Sequence, residues 1–202
     1  MKHGRFFAVD PSLTCSGWAL FDFQDETLLA VGKVKSLPAS EPISGRFEDL
    51  QTKIAHIYAS LSLGKDDFVV CEAPTTMRDP RAALLVEQVR SIFETLARDR
   101  GASVPGRIHP RSVQYEVVGL RGKQLKREVV KSSALEVVSR LYGDALERIG
   151  FESSRSHLKK HQDVVDAVLI GAYGLSRISQ AAATGQPFEE FFSSTQTLRS
   201  RS

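Results

Sequence analysis

RFFAVDPSLTCSGWALFDF, residues 5–23, decides the fold. A short apolar run, Arg5–Asp10, ends on a carboxylate, and Pro11 closes it. A polar turn then leads through Gly17 into a second apolar run, Trp18–Phe23. Consecutive apolar residues bounded by turn signals predict a strand buried on both faces. An aspartate at the end of such a strand is costly unless something pairs with it. A metal ion is the natural partner, and the rest of the chain reads as bringing three more acids to Asp10.

Working outward, Cys15–Phe23 and Thr27–Ser36 read as two further strands joined by the polar turn at 24–26, an antiparallel meander. Residues 37–45 hold two prolines and a glycine and are expected to be a loop. Phe47, Leu50, Ile54, Ile57 and Leu61 recur at helical spacing, which predicts an amphipathic helix over Arg46–Leu63 stopped by Gly64. Asp67–Glu72, DFVVCE, repeats the opening pattern: an apolar run that ends in an acid with a proline soon after. If the two strands are adjacent and parallel, their acids lie at one sheet edge, where ligand sites of parallel sheets are found. A strand–helix–strand path supplies the crossover that parallel pairing requires.

Asp79-Pro80 opens the next helix with an N-cap and an early proline. Its stripe of Leu85, Val89, Ile92, Phe93 and Leu96 is either core or a dimer face. Ser103–His109 reads as a strand, 110–119 as a short helical segment, and the chain then continues as a helix to about Tyr142. Gly143–Lys160 is expected to be an irregular loop with a helical turn. A last helix runs from His161 or Gln162 to about Arg177, with a tail expected to be disordered or weakly docked. The expected division is one domain over 1–178 and a polar tail over 179–202, and no internal repeat is present.

The length suits one ordinary domain with a full core. The apolar runs fall short of the roughly 18 residues of a membrane span, and the N-terminus lacks a signal peptide's apolar region. With Cys15 and Cys71 beside apolar runs, both thiols are expected to be reduced and buried in a cytosolic protein. Net charge is only +3, yet residues 121–131 hold Arg121, Lys123, Lys126, Arg127 and Lys131 against Glu128 alone. Basic charge gathered in one segment is the pattern of a phosphate-contacting element, with a solvated helix face as the alternative.

Asp163 and Asp166 are three residues apart, on one face of the last helix. Along the same face come Ala167, Ile170, Gly171 and Gly174, small enough to let the helix lie close to the sheet. By itself this pair reads equally as a solvated helix N-terminus. With Asp10 and Glu72 it makes a four-carboxylate set suited to two Mg²⁺ or Mn²⁺ ions. Such a pair activates water and stabilises the leaving 3′ oxygen of a phosphodiester.

The ordered motifs resemble the RuvC family of Holliday-junction resolvases in the RNase H-like superfamily. VDPSLTCSGWAL resembles the family's first acidic strand and turn, FVVCEAP its glutamate strand, HPRSVQYEVVG with Lys126 and Val129 its basic stretch, and DVVDAVLIGAY its last helix. The resemblance spans residues 6–175 and implies an α/β, RNase H-like fold with a mixed five-stranded sheet flanked by helices. It implies a structure-selective, metal-dependent endonuclease acting on four-way or other branched DNA as a homodimer, with no membrane partner. Carried over, Asp10, Glu72, Asp163 and Asp166 are metal ligands and catalytic acids, with Lys126 and Lys123 at the scissile region or nearby phosphates. Arg78, Arg111, Arg121, Arg127 and Lys131 complete the DNA-contacting candidates, and Met77 with Arg78 occupies the loop that faces the junction. Ser12 stands where the family usually has glycine, the stretch around Gly122 is altered, and 143–160 resembles an insertion of a divergent, phage-type member. His161, two residues before Asp163, is expected to be non-catalytic. A nuclease of the same fold acting on RNA or another DNA substrate and an actin-like ATPase are the competing readings, the latter weakened by Ser12 and by a chain too short for two such domains.

Overall fold

The computed structural model describes residues 4–74, 79–121 and 125–193. Five strands form one mixed sheet in the order β3-β2-β1-β4-β5. They are β1 (Arg5–Asp10), β2 (Cys15–Asp22), β3 (Leu28–Lys35), β4 (Phe68–Glu72) and β5 (Arg107–Ile108). The first three form the expected antiparallel meander, and β1 pairs with β4 in parallel, Val9 opposite Cys71. Helix α1 (Ile43–Ser60) carries the crossover between them. It starts earlier than expected: Pro42 precedes it at φ −55°, a ready-made entry to a helix, and Gly45 is absorbed in the first turn.

Both faces of the sheet are covered. Phe7, Val9, Leu20 and Val69 point to α1 and α2 (Pro80–Asp99), where they meet Leu50, Ile54, Tyr58, Val89 and Phe93. The α2 stripe therefore belongs to the core: Val89 and Phe93 are fully buried, and Leu85, Ile92 and Leu96 pack against the same cluster. Phe6, Ala8, Ala19 and Phe21 point the other way, to α4 (Arg127–Arg148) and α6 (Gln162–Thr184). α3 (Pro110–Glu116) and α5 (Arg155–Lys160) are short connectors.

Three more boundaries differ from the sequence reading, each for a physical reason. β5 keeps only Arg107–Ile108 of the expected 103–109 strand, with a single bridge from Ser103 to Phe68. Pro105 has no N–H to give the ladder. The 143–160 segment is not an irregular loop. Leu146 and Leu158 are fully buried, α4 runs through Gly143, and α5 is capped by Ser154, which accepts from the His157 N–H. A glycine inside a helix costs only about 1 kcal/mol, less than the burial of Leu146 returns. Finally, α6 passes the expected end at 177–178 and buries Ile178 and Ala181. α7 (Phe188–Ser193) then docks through Phe192, which stacks on Phe6 and whose Cβ lies 2.7 Å from where a Cβ on Gly106 would stand. No described helix is long and apolar enough to cross a membrane.

Candidate active site

The positions of Asp10 and Glu72 follow from how β1 and β4 are pinned. At the far end, Arg5 grips Asp67 twice: Nε donates to Oδ1 at 2.9 Å and a terminal nitrogen to Oδ2 at 2.7 Å. The Arg5 backbone N–H also donates to Asp67 Oδ1 at 3.1 Å. Arg5 precedes Asp10 by the same interval as Asp67 precedes Glu72, so parallel strands level at one end are level at the other. The acids stand side by side at the carboxyl edge of the sheet.

α6 brings the other two. It can do so because β2 carries a glycine where the helix crosses: a Cβ on Gly17 would lie 1.9 Å from the Asp163 carbonyl oxygen. Further along, Cβ atoms on Gly171 and Gly174 would meet the rings of Phe21 and Phe6 at 2.0 and 2.2 Å. The small-residue face expected from sequence is thus in close contact with the sheet. The charge of Glu72, Asp166 and Asp163 all bears on Asp10.

Burial, and then repulsion from these three acids, raises the Asp10 carboxyl well above the ordinary carboxylate range. Burial and Asp166 push Glu72 up to about 7. Burial, opposed by a hydrogen bond from Gln162, puts Asp166 at about 6. Arg90 acts from behind. Its buried guanidinium donates from Nε to the Glu72 carbonyl at 2.7 Å and is paired with Glu87, and its charge favours ionised Asp10 and Glu72. Arg107 extends this layer to Glu94 at 2.7 Å and Glu87 at 2.8 Å. Arg90 was not singled out in the sequence, where it reads as one polar residue beside the apolar stripe of α2.

No three His, Cys, Asp or Glu side chains among the described residues are already closed into a metal cage. The hydrogen bonds explain part of this. Cys15 Sγ donates to Asp163 Oδ2 at 2.7 Å, and Lys33 Nζ lies 3.6 Å from the same oxygen. Gln162 Nε2 donates to Asp166 Oδ1 at 3.1 Å. The donor chemistry nevertheless fits a hard divalent cation: carboxylate oxygens, crowded, with proton affinity raised at Asp10, Glu72 and Asp166. Cys15 is therefore not the inert buried thiol expected. It is only half-buried, and burial followed by its bond to Asp163 pushes it up to about 11. Cys71 is buried as expected, and both cysteines are free.

The basic candidates divide. Lys131 and Arg127, on the first turns of α4, bear on Asp166. Lys126 sits at the N-cap of α4 and is exposed. Arg111 is exposed at the start of α3, and Arg121 lies over the Tyr115 ring at 5.3 Å. Met77, Arg78, Gly122 and Lys123 lie outside the described residues. His161 caps α6 by position and stacks on His157 with ring centroids 4.2 Å apart, its Nδ1 buried without a hydrogen-bond partner among the described residues.

A search of solved structures finds this architecture in Holliday-junction resolvases. Thermus thermophilus RuvC, solved in complex with a Holliday junction substrate, superimposes with a TM-score of 0.60 over 91% of this chain and 97% of its own, at 18% identity. The chain has the RuvC fold. A second Thermus thermophilus RuvC structure gives 0.61 over 90% and 97%, again at 18% identity. The yeast mitochondrial Holliday junction resolvase gives 0.54 over 86% and 78%, at 13% identity. No family model and no curated protein sequence matches the chain. The RuvC-like, RNase H-like architecture with a mixed five-stranded sheet expected from sequence is thus the one observed.

Proposed function

We propose that this chain is a structure-selective endodeoxyribonuclease that nicks four-way junctions or other branched DNA. One observation carries the reading: two adjacent parallel strands end in acids side by side, under two aspartates of α6, in a fold shared with junction resolvases. Asp10, Glu72, Asp163 and Asp166 would hold two Mg²⁺ or Mn²⁺ ions. These supply Lewis acidity for an attacking water and for the leaving 3′ oxygen. The chain's own part is to aim the four carboxylates, to oppose their repulsion from behind with Arg90, and to grip phosphates from α4. Lys126, Arg127 and Lys131 supply that grip beside Asp166, with Arg111 and Arg121 further out. Arg78 and Lys123, outside the described residues, are DNA-contacting candidates by resemblance alone.

A homodimer follows from the substrate. A four-way junction is two-fold symmetric, and paired nicks need two sites related by a two-fold axis. Because the α2 stripe is buried against the sheet, an interface on that helix would use its outer face, where Leu84 is 66% exposed.

The test is incubation of the protein with Mg²⁺ or Mn²⁺ and a labelled four-way junction, beside a linear duplex of the same sequence and an RNA–DNA hybrid. Symmetric nicks in the junction are expected, with the duplex largely spared. Cleavage of the hybrid alone would transfer the site to an RNA-directed nuclease. ATP hydrolysis without any nicking would sink the nuclease reading.

A further inference from the structure

We propose that the groove between β3 and α1 is a second phosphate track, which receives the sugar–phosphate backbone of the DNA strand flanking the cleaved position. The inference rests on the nuclease reading above and adds a surface to it. Lys33 and Lys35 are two residues apart on β3 and so leave the strand on one face. That face is the one toward α6: Lys33 Nζ lies 3.6 Å from Asp163 Oδ2, and the charge of Lys35 reaches Cys15 and His161. β3 is the outer strand of the sheet, and around its edge α1 contributes Thr52, Lys53, His56 and Ile57. Together these side chains line an open groove of about 620 Å³.

The groove is held in shape. Lys53 Nζ donates to the Lys35 carbonyl at 2.9 Å and to Asp49 Oδ2 at 2.7 Å, which holds the ammonium at the sheet edge. Arg46, buried beneath the β3–α1 connection, donates from Nε to the Leu37 carbonyl at 3.1 Å and from a terminal nitrogen to Ser36 Oγ at 2.9 Å. Three lysines and a histidine are set against two carboxylates, Asp49 and Asp163, so the occupant is an anion. Continuity decides which anion. Arg127 and Lys131 of α4 flank the acids at Asp166, and Lys33 and Lys35 flank them at Asp163. A polyanion laid across the four acids meets cations on entering and on leaving, and the β3 edge continues the second set away from the site. A strand of DNA has that form.

The test measures junction affinity without divalent metal, as a function of salt, for the wild type and for Lys35→Gln, Lys53→Gln and the double variant. The amide introduced by Lys53→Gln keeps an N–H to offer the Lys35 carbonyl, and neither lysine touches the acids. The double variant is expected to bind about tenfold more weakly at low salt, with its log–log salt slope reduced by about 1.8, or 0.9 for each lost phosphate contact. Each single variant should lose about 0.9, so the result stands even if the double variant folds poorly. Lys65→Gln, in the turn before β4 at the opposite end of the sheet, should leave the slope unchanged. Hydroxyl-radical footprinting should show lost protection on one side of the nick only. If the wild type binds and nicks junctions while the Lys35 and Lys53 variants keep its slope, the groove inference fails alone. If the wild type neither binds nor nicks DNA, the nuclease reading fails and the groove with it.

Discussion

An Asp10→Asn variant should separate binding from chemistry. The amide is nearly isosteric, so the strand end should still pack. It also removes one of four mutually repelling charges. Nicking should fall on the order of a hundredfold or more, and the losses from Glu72→Gln, Asp163→Asn and Asp166→Asn should not add, because the acids act as a unit. Junction binding should persist or tighten, since affinity comes largely from basic side chains on phosphates. A gel shift in EDTA beside a nicking assay in Mg²⁺ reads both, and near wild-type nicking would exclude the acid-centred mechanism. Cys15 gives an independent probe of the same corner. With its thiol pushed up to about 11 by burial and by Asp163, very little thiolate exists at pH 8. Alkylation should be on the order of tenfold or more slower than for a free cysteine, and Asp163→Asn should speed it up. Equal rates in the two proteins, followed by mass spectrometry, would mean that the Cys15–Asp163 bond is not formed in solution.

At the scale of elements, the site depends on how closely α6 lies on the meander. Gly17 is the tightest point, with no room for even one added carbon beside the Asp163 carbonyl. Gly17→Ala should therefore lift the start of α6 away from β2, at a cost of about 1–3 kcal/mol typical of overpacking. Because the residue lifted carries Asp163, the thermal shift produced by Mn²⁺ should shrink as well. A variant with wild-type melting and a wild-type Mn²⁺ shift would show that α6 is not held at this point. The other fastening, Arg5 on Asp67, acts at the opposite end of the sheet and keeps Asp10 and Glu72 level.

For the molecule as a whole, the crowded acids make stability depend on pH. In the folded state Glu72 titrates at about 7 and Asp166 at about 6, above the ordinary carboxylate range of roughly 4. A carboxyl raised on folding binds its proton more tightly in the native state, so its contribution is fully present below about pH 4 and is lost as pH rises to about 7. Metal-free protein should thus melt lower at pH 8 than at pH 5.5, and Asp10→Asn should flatten this difference. Mg²⁺ or Mn²⁺ should raise the melting temperature more at pH 8, where ligands are ionised, than at pH 5.5. A metal shift independent of pH would place the binding elsewhere. The proposed homodimer is checked by light scattering at micromolar concentration, with and without junction DNA. A monomer under both conditions would remove it.

The sequence by itself determined the strands that end in Asp10 and Glu72, the aspartate pair on α6, and the small residues beneath that helix. Each is a local pattern: an apolar run that stops at an acid, or a helical spacing. Local patterns also misplaced ends. Gly143 looked like a stop, although the burial of Leu146 outweighs one glycine. The polar composition past residue 178 concealed Phe192, whose worth depends on Phe6 and Gly106 being nearby. Only the tertiary structure decided the company the acids keep. Arg90 reaches Glu72 from α2, Cys15 and Lys33 reach Asp163 from β2 and β3, and the Lys53 ammonium reaches the Lys35 carbonyl around a sheet edge. These pairs are far apart along the chain and join different elements. Electrostatic and hydrogen-bonding energies depend on distance through space, which residue spacing encodes only within a single helix or strand.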